Sequence, residues 1–121
     1  MGQSAVAIIG FGIDFGTELP WERYDETPGS PGFLLDSYPQ PENPFNVEVV
    51  YYGAGEYPSH MLVIKESVQK VYWDKAEPIS RALMEWDETQ WSEGIQEFLE
   101  HFKIKLEKPA EPKWLLAAYF G

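Results

Sequence analysis

The chain opens on an alternation. Between Val6 and Phe15, the large residues Ile9, Phe11, Ile13 and Phe15 take one phase while Gly10, Gly12 and Asp14 take the other. That period of two predicts a strand over 6–15 with one bulky apolar face and one nearly bare face. Residues 46–52 (NVEVVYY) and 60–65 (HMLVIK) are β-branched and aromatic runs separated by the Gly-rich GAGEYPS, which predicts an antiparallel hairpin. SVQKVYW at 67–73 fits a helical spacing through Val68, Val71 and Tyr72, yet its β-branched chemistry favours a fourth strand. WLLAAYF at 114–120 is apolar on both faces, which predicts a strand paired on both sides in the middle of a sheet.

Only one segment has a full helical signature. Trp91, Ile95, Phe98, Leu99 and Phe102 recur at helical spacing, with Glu93, Glu97 and Glu100 on the other side, predicting a helix over 87–102. Asp87 with Gln90 three residues on forms a capping box, and Trp86 can staple to Trp91. Gly94 weakens this helix by about 1 kcal/mol relative to Ala. PISRALMEW at 78–86 offers a shorter helix with Pro at its first position. Between Thr17 and Phe45 the periodicity dissolves and six of the ten prolines gather. Trp21, Tyr24, Phe33, Leu34, Leu35, Tyr38 and Phe45 mark this segment as a loop docked on the body, and Ser30-Pro31 can cap a short helical turn inside it. The expected fold is a single α+β domain. A mainly antiparallel sheet of four or five strands carries one main helix on a face and a long Pro-rich loop.

Composition narrows the function classes. With 121 residues, 44% hydrophobic, and five Trp, seven Tyr and seven Phe, the chain can bury one core. Cys is absent, which removes disulfides, thiolate metal ligation and cysteine nucleophiles and fits a reducing cytoplasm. No apolar run approaches the roughly 18 residues of a membrane span, and no signal-peptide pattern opens the chain, so a cytoplasmic protein without a membrane partner is expected. The net charge of −11 disfavours direct contact with nucleic acid, whose phosphates are bound by Lys and Arg. That charge is uneven: through Ile64 there are nine acids and one base, Arg23. Eight of the nine fall between Glu18 and Glu56, namely Glu18, Glu22, Asp25, Glu26, Asp36, Glu42, Glu48 and Glu56.

Candidate chemistry is sparse. Gly12-Ile13-Asp14-Phe15-Gly16-Thr17 resembles the first phosphate loop of the actin and Hsp70 ATPases, but there the turn joins two strands of a much larger domain. Here Pro20 interrupts pairing where the second strand would run. Gly10-Phe11-Gly12 is not a dinucleotide fingerprint either, because no helix follows to aim its N-terminus at a pyrophosphate. The glycines instead leave room for a Trp ring or another backbone to approach the strand. Asp14 either faces water or accepts hydrogen bonds from the long loop. Glu97 and His101 share a helix face, which reads as solvated, and Ser59-His60 lacks a nucleophile elbow. No catalytic residue, metal ligand or cofactor is assigned, and a non-enzymatic protein is expected.

The two ends, Gly10-Phe11-Gly12 and Trp114-Leu115-Leu116-Ala117-Ala118-Tyr119-Phe120-Gly121, resemble small acidic proteins of tailed bacteriophages. The resemblance implies a phage or prophage origin, where such proteins often inhibit host enzymes or host defence. Charge suggests the mode: an acidic surface can complement the basic groove of a nucleic-acid-binding protein and speed association. The expectation is therefore an inhibitor that mimics nucleic acid, with the acids from Glu18 to Glu56 meeting a basic host protein. A small-molecule or nucleotide-binding sponge is the alternative, its pocket formed by the Gly-rich strand and the aromatic loop, in an oligomer such as a homodimer.

Overall fold

A computed structural model describes residues 5–23, 25–36, 41–53, 58–106 and 110–120. The strands are β1 (Ala5–Gly16), β2 (Val47–Tyr52), β3 (Ser59–Ile64), β4 (Gln69–Tyr72) and β5 (Lys113–Phe120), and the helices are α1 (Pro31–Asp36), α2 (Arg81–Met84) and α3 (Glu88–His101). All pairings are antiparallel, in one five-stranded sheet, so the α+β expectation holds.

β1 is the axis of the sheet. β5 runs along it from Ala5↔Phe120 to Gly12↔Lys113 and fills one edge. The other edge is shared: β4 pairs with Val6–Ile9, and β3 with the stretch from Gly12 to Gly16. Between β3 and β4 the chain makes a single 3₁₀ turn, Lys65–Ser67. That insertion lifts the backbone off β1 opposite Phe11 and would leave a buried amide without an acceptor. Ser67 fills the gap. Its hydroxyl accepts from the Phe11 amide at 2.8 Å and donates to the Ile64 carbonyl at 2.6 Å, and the residue is fully buried.

The two phases of β1 face different cores. Phe11 and Ile13 join Val47, Leu62 and Ile64 beneath Trp91, Ile95, Phe98 and Leu99 of α3. Phe11 lies 5.1, 5.9 and 5.6 Å from the rings of Trp86, Trp91 and Trp114. On the opposite face, Ile8, Val50, Met61 and Val63 pack with Tyr52, Leu115, Ala117 and Tyr119. This second cluster unites β2 and β5, which are not neighbours in the sheet, so the sheet curls around it. The glycines make the curl possible: a Cβ on Gly12 would stand 1.7 Å from the Leu62 carbonyl oxygen, and one on Gly10 3.0 Å from Val63 Cγ1. Of the two approaches expected at this face, the backbone is the one found, while the tryptophans lie on the other side.

Local signals hold at the helix starts. Asp87 Oδ1 accepts from the Gln90 amide at 3.1 Å, and Trp86 meets Trp91 at 5.9 Å. Ser30 Oγ accepts from the Phe33 amide at 3.1 Å ahead of Pro31, the first residue of α1. Within the long loop, Trp21 docks edge-on against Phe15 and Phe98 at 5.6 and 5.7 Å. Phe45 does the same against Phe98 at 5.6 Å. Tyr24 and Tyr38 lie outside the described residues.

Three expectations change. Among the described residues β5 pairs with β1 alone, so it is not a central strand. Its second apolar face is left open instead, with Leu116 and Phe120 76% and 59% exposed. The strand expected at 67–73 begins only at Gln69, because the turn at 65–67 precedes it. α2 starts at Arg81, after Ser80, and not at Pro78. The Gln69 side chain holds the Pro78 carbonyl at 2.8 Å and the Ser80 amide at 2.9 Å, which keeps that stretch extended.

Ser67→Ala leaves the Phe11 amide buried without an acceptor and should lower the unfolding free energy by about 1–3 kcal/mol, more than the roughly 1 kcal/mol expected for removing the cap with Asp87→Ala. Urea denaturation ranks the two, and an equal or smaller loss for Ser67→Ala would mean that the gap closes another way. Gly94→Ala places its methyl 3.5 Å from Ile64 Cδ1, an ordinary contact. It should raise stability by up to about 1 kcal/mol through helix propensity, and a lower urea midpoint would show that the site has no room.

Candidate functional site

The acidic loop is anchored by a polar cluster that begins with its only base. The Arg23 guanidinium lies over the Tyr51 ring at 3.7 Å, with Nε 3.9 Å from Asp36 Oδ1. Tyr51 donates its hydroxyl to the same oxygen at 2.8 Å. Tyr51 in turn packs edge-on against buried His60 at 5.1 Å, and His60 Nδ1 donates to the Gly16 carbonyl at 3.0 Å. The chain between β1 and α1 is thereby tied to β2 and β3. Arg23, its side chain 36% exposed, is engaged there with Asp36 and Tyr51.

This cluster sorts the eight carboxylates. Glu18, Glu22, Glu26 and Glu42 are exposed, the first three on the single connection between β1 and α1. Asp25 sits among them, with Oδ1 accepting from the Thr27 amide at 2.9 Å, and that bond holds its carboxyl below the usual range. Asp36 is not part of the outer surface: its side chain is 9% exposed and serves Arg23 and Tyr51. Glu48 is half-buried on β2, where burial raises its pKa while Lys65 and Lys70 pull against the rise. Glu56 lies outside the described residues. The exposed acids of this connection are therefore Glu18, Glu22 and Glu26, with Asp25 partly exposed among them and Glu42 standing apart beyond α1. Along this connection, Glu18, Leu19 and Pro20 wall a cleft of about 440 Å³ with Phe15, Lys105 and Leu106.

Asp14 takes the acceptor role, but not towards the loop. Its Oδ1 receives the Tyr52 hydroxyl at 2.7 Å and the Gly16 amide at 3.0 Å while the residue stays exposed. Partial burial, reinforced by the Asp14 carboxylate, pushes the Tyr52 phenol up to about 12. His101 rests between Phe45 and Phe102, at ring distances of 5.1 and 4.7 Å. Among the described residues no three His, Asp or Glu side chains gather as metal ligands would. No helix among them is long and apolar enough to cross a membrane.

Counting charges found the acidic loop but not its tether. Arg23, Asp36 and Tyr51 come from three separated segments, and no spacing in the sequence marks them as partners. No family model, curated protein or solved structure matches this chain.

Tyr52 provides a pH test. Folded, it keeps its proton to about pH 12, whereas an unfolded tyrosine releases it near pH 10. Between these values the unfolded chain holds fewer protons, so stability that is full below pH 10 falls as the pH climbs towards 12. Ultraviolet titration should show one late phenol that disappears in Tyr52→Phe, together with that part of the alkaline loss. If the late phenol persists in the variant, it belongs to another tyrosine.

Proposed function

We propose that this chain is a non-enzymatic acidic binding protein, phage-encoded, that inhibits a host nucleic-acid-binding or anti-phage defence protein by occupying its basic site. The observation that carries this reading is the tether. Trp21 against Phe15 and Phe98 and Arg23 on Tyr51 and Asp36 fix the loop, while Glu18, Glu22 and Glu26 remain exposed around it. A loop already pinned loses little conformational freedom on docking, so more of its charge interaction appears as affinity. With its one base engaged by Asp36 and Tyr51, the loop carries a strong net negative charge, which favours steering towards a cationic groove. The sponge reading has less support, because Leu62 and Val63 close on β1 at Gly10 and Gly12, and the cleft of about 530 Å³ that Gly12 borders is walled by Asp14, Ala110, Glu111, Lys113 and Leu115 rather than by the aromatic loop.

The test uses the protein as bait in a bacterial lysate, with bound proteins identified by mass spectrometry. Wild type should retain a basic nucleic-acid-binding protein, and Glu18→Lys/Glu22→Lys/Glu26→Lys should lose it. The control, Glu93→Lys/Glu97→Lys/Glu100→Lys on α3, changes net charge equally and should retain it. With the captured partner, the loop variant should associate at least about 10-fold more slowly and with a flatter salt dependence, as steered encounter requires. Equal losses from both variants would reduce the effect to bulk charge, and capture of no basic protein would overturn the proposal.

A further inference from the structure

α3 covers β2, β3 and the second half of β1, whereas over β4, β5 and the first half of β1 the same sheet face meets Ile79 and Leu83 and stays open between them. Strand register sets three rows on it: Leu116 beside Ile9, Ala118 beside Ala7 and Val71, and Phe120 beside Ala5. The small residues make a hollow between larger neighbours. It holds about 420 Å³, lined by Ile9, Val71, Ile79, Leu83, Trp114 and Leu116. Of this lining Ile79 and Leu116 are 65% and 76% exposed, and Trp73 and Phe120 beside Ala5 and Met84 on α2 are 64%, 59% and 72% exposed. The aromatic members present roughly 150–250 Å² each and the aliphatic ones somewhat less, so together the five expose on the order of 700 Å². That exceeds the roughly 300–600 Å² of the largest apolar patch on an ordinary monomer and approaches the roughly 800 Å² that each partner brings to a standard interface.

Charge selects the occupant. Residues 114–120 carry no charge, and residues 65–85 carry four bases and four acids, of which Arg81 and Glu85 pair at 3.1 Å. With its charges balanced, this surface offers little to attract a basic protein. The acidic loop leaves β1 at Gly16, the far end from Ala5 and Ala7. At about 3.3 Å per residue that separation is roughly 30 Å, some three Debye lengths at 0.1 M salt. Two copies of a chain with net charge −11 can therefore meet here without opposing their acidic loops. Projecting and hollow parts share one face, as an isologous contact requires.

We propose that the chain forms a symmetric homodimer through this face, with Leu116 and Phe120 of each copy entering the hollow beside Ile79 and Leu83 of the other. Sedimentation equilibrium from about 1 to 100 μM, where an interface of this size associates, should show twice the 13.9 kDa chain mass. Leu116→Glu and Ile79→Glu alter side chains already exposed in one copy. They should keep the wild-type circular dichroism yet weaken self-association at least about 100-fold by burying an unpaired charge. Glu18→Lys/Glu22→Lys/Glu26→Lys should dimerise like wild type, which separates this proposal from the acidic-loop reading. A wild-type chain that stays monomeric throughout, or a folded Leu116→Glu or Ile79→Glu that dimerises undiminished, would overturn it. So would a monomer that binds an apolar dye through Leu116, because the face would then serve a different occupant.

Discussion

Where β3 leaves the edge of β1 and β4 takes its place, the Phe11 amide has no strand partner, and the Ser67 hydroxyl supplies the missing acceptor. Much of the architecture depends on that substitution. Without it, the amide beneath the aromatic group of Trp86, Trp91 and Trp114 would be dry and unpaired, a state that buried backbone rarely tolerates. With it, one edge of β1 can serve two strands, and the 3₁₀ turn can sit between them. The bare reverse face of β1 complements this by letting Leu62 and Val63 close in and the sheet curl.

The curl leaves the molecule with two unlike ends. At the C-terminal end of β1, Arg23, Tyr51, Asp36 and His60 form a cluster in which Asp36 Oδ1 meets the Tyr51 hydroxyl and Arg23, and His60 meets the Gly16 carbonyl. Carboxylates remain exposed around it. At the N-terminal end, β4, β5 and α2 present carbon with little net charge. A partly exposed ion pair at 3.9 Å is a weak source of stability, because solvent screens much of the attraction. Its value here is positional, since it fixes where the surrounding charges stand.

What the sequence disclosed follows the range of each interaction. The Asp87 cap and the Ser30 cap join groups three residues apart, and both are legible from residue type alone. The alternation in 6–15 identified a strand with a bare face but could not tell that three strands would share it. The WLLAAYF segment was read as central because two apolar faces ordinarily mean cover on both sides. Here the curl covers Leu115, Ala117 and Tyr119, while Leu116 and Phe120 stay mostly exposed. Periodicity reports that a face is apolar, not which surface meets it. In the same way, a count of acids could not separate Glu22, which is exposed, from Asp36, which is occupied by Arg23 and Tyr51.

The pairing of Ala5 with Phe120 joins strands about a hundred residues apart in sequence. Contacts of such separation form slowly, because a long loop must close before they contribute. During synthesis β1 therefore waits with an uncovered edge through the emergence of every other element. The hairpin of β2 and β3 can form early, but the sheet is complete only when β5 arrives. Until then the apolar residues of β1 are a site for wrong pairing with another nascent chain. Gly10 and Gly12, poor strand formers, weaken that unwanted pairing while it can still occur.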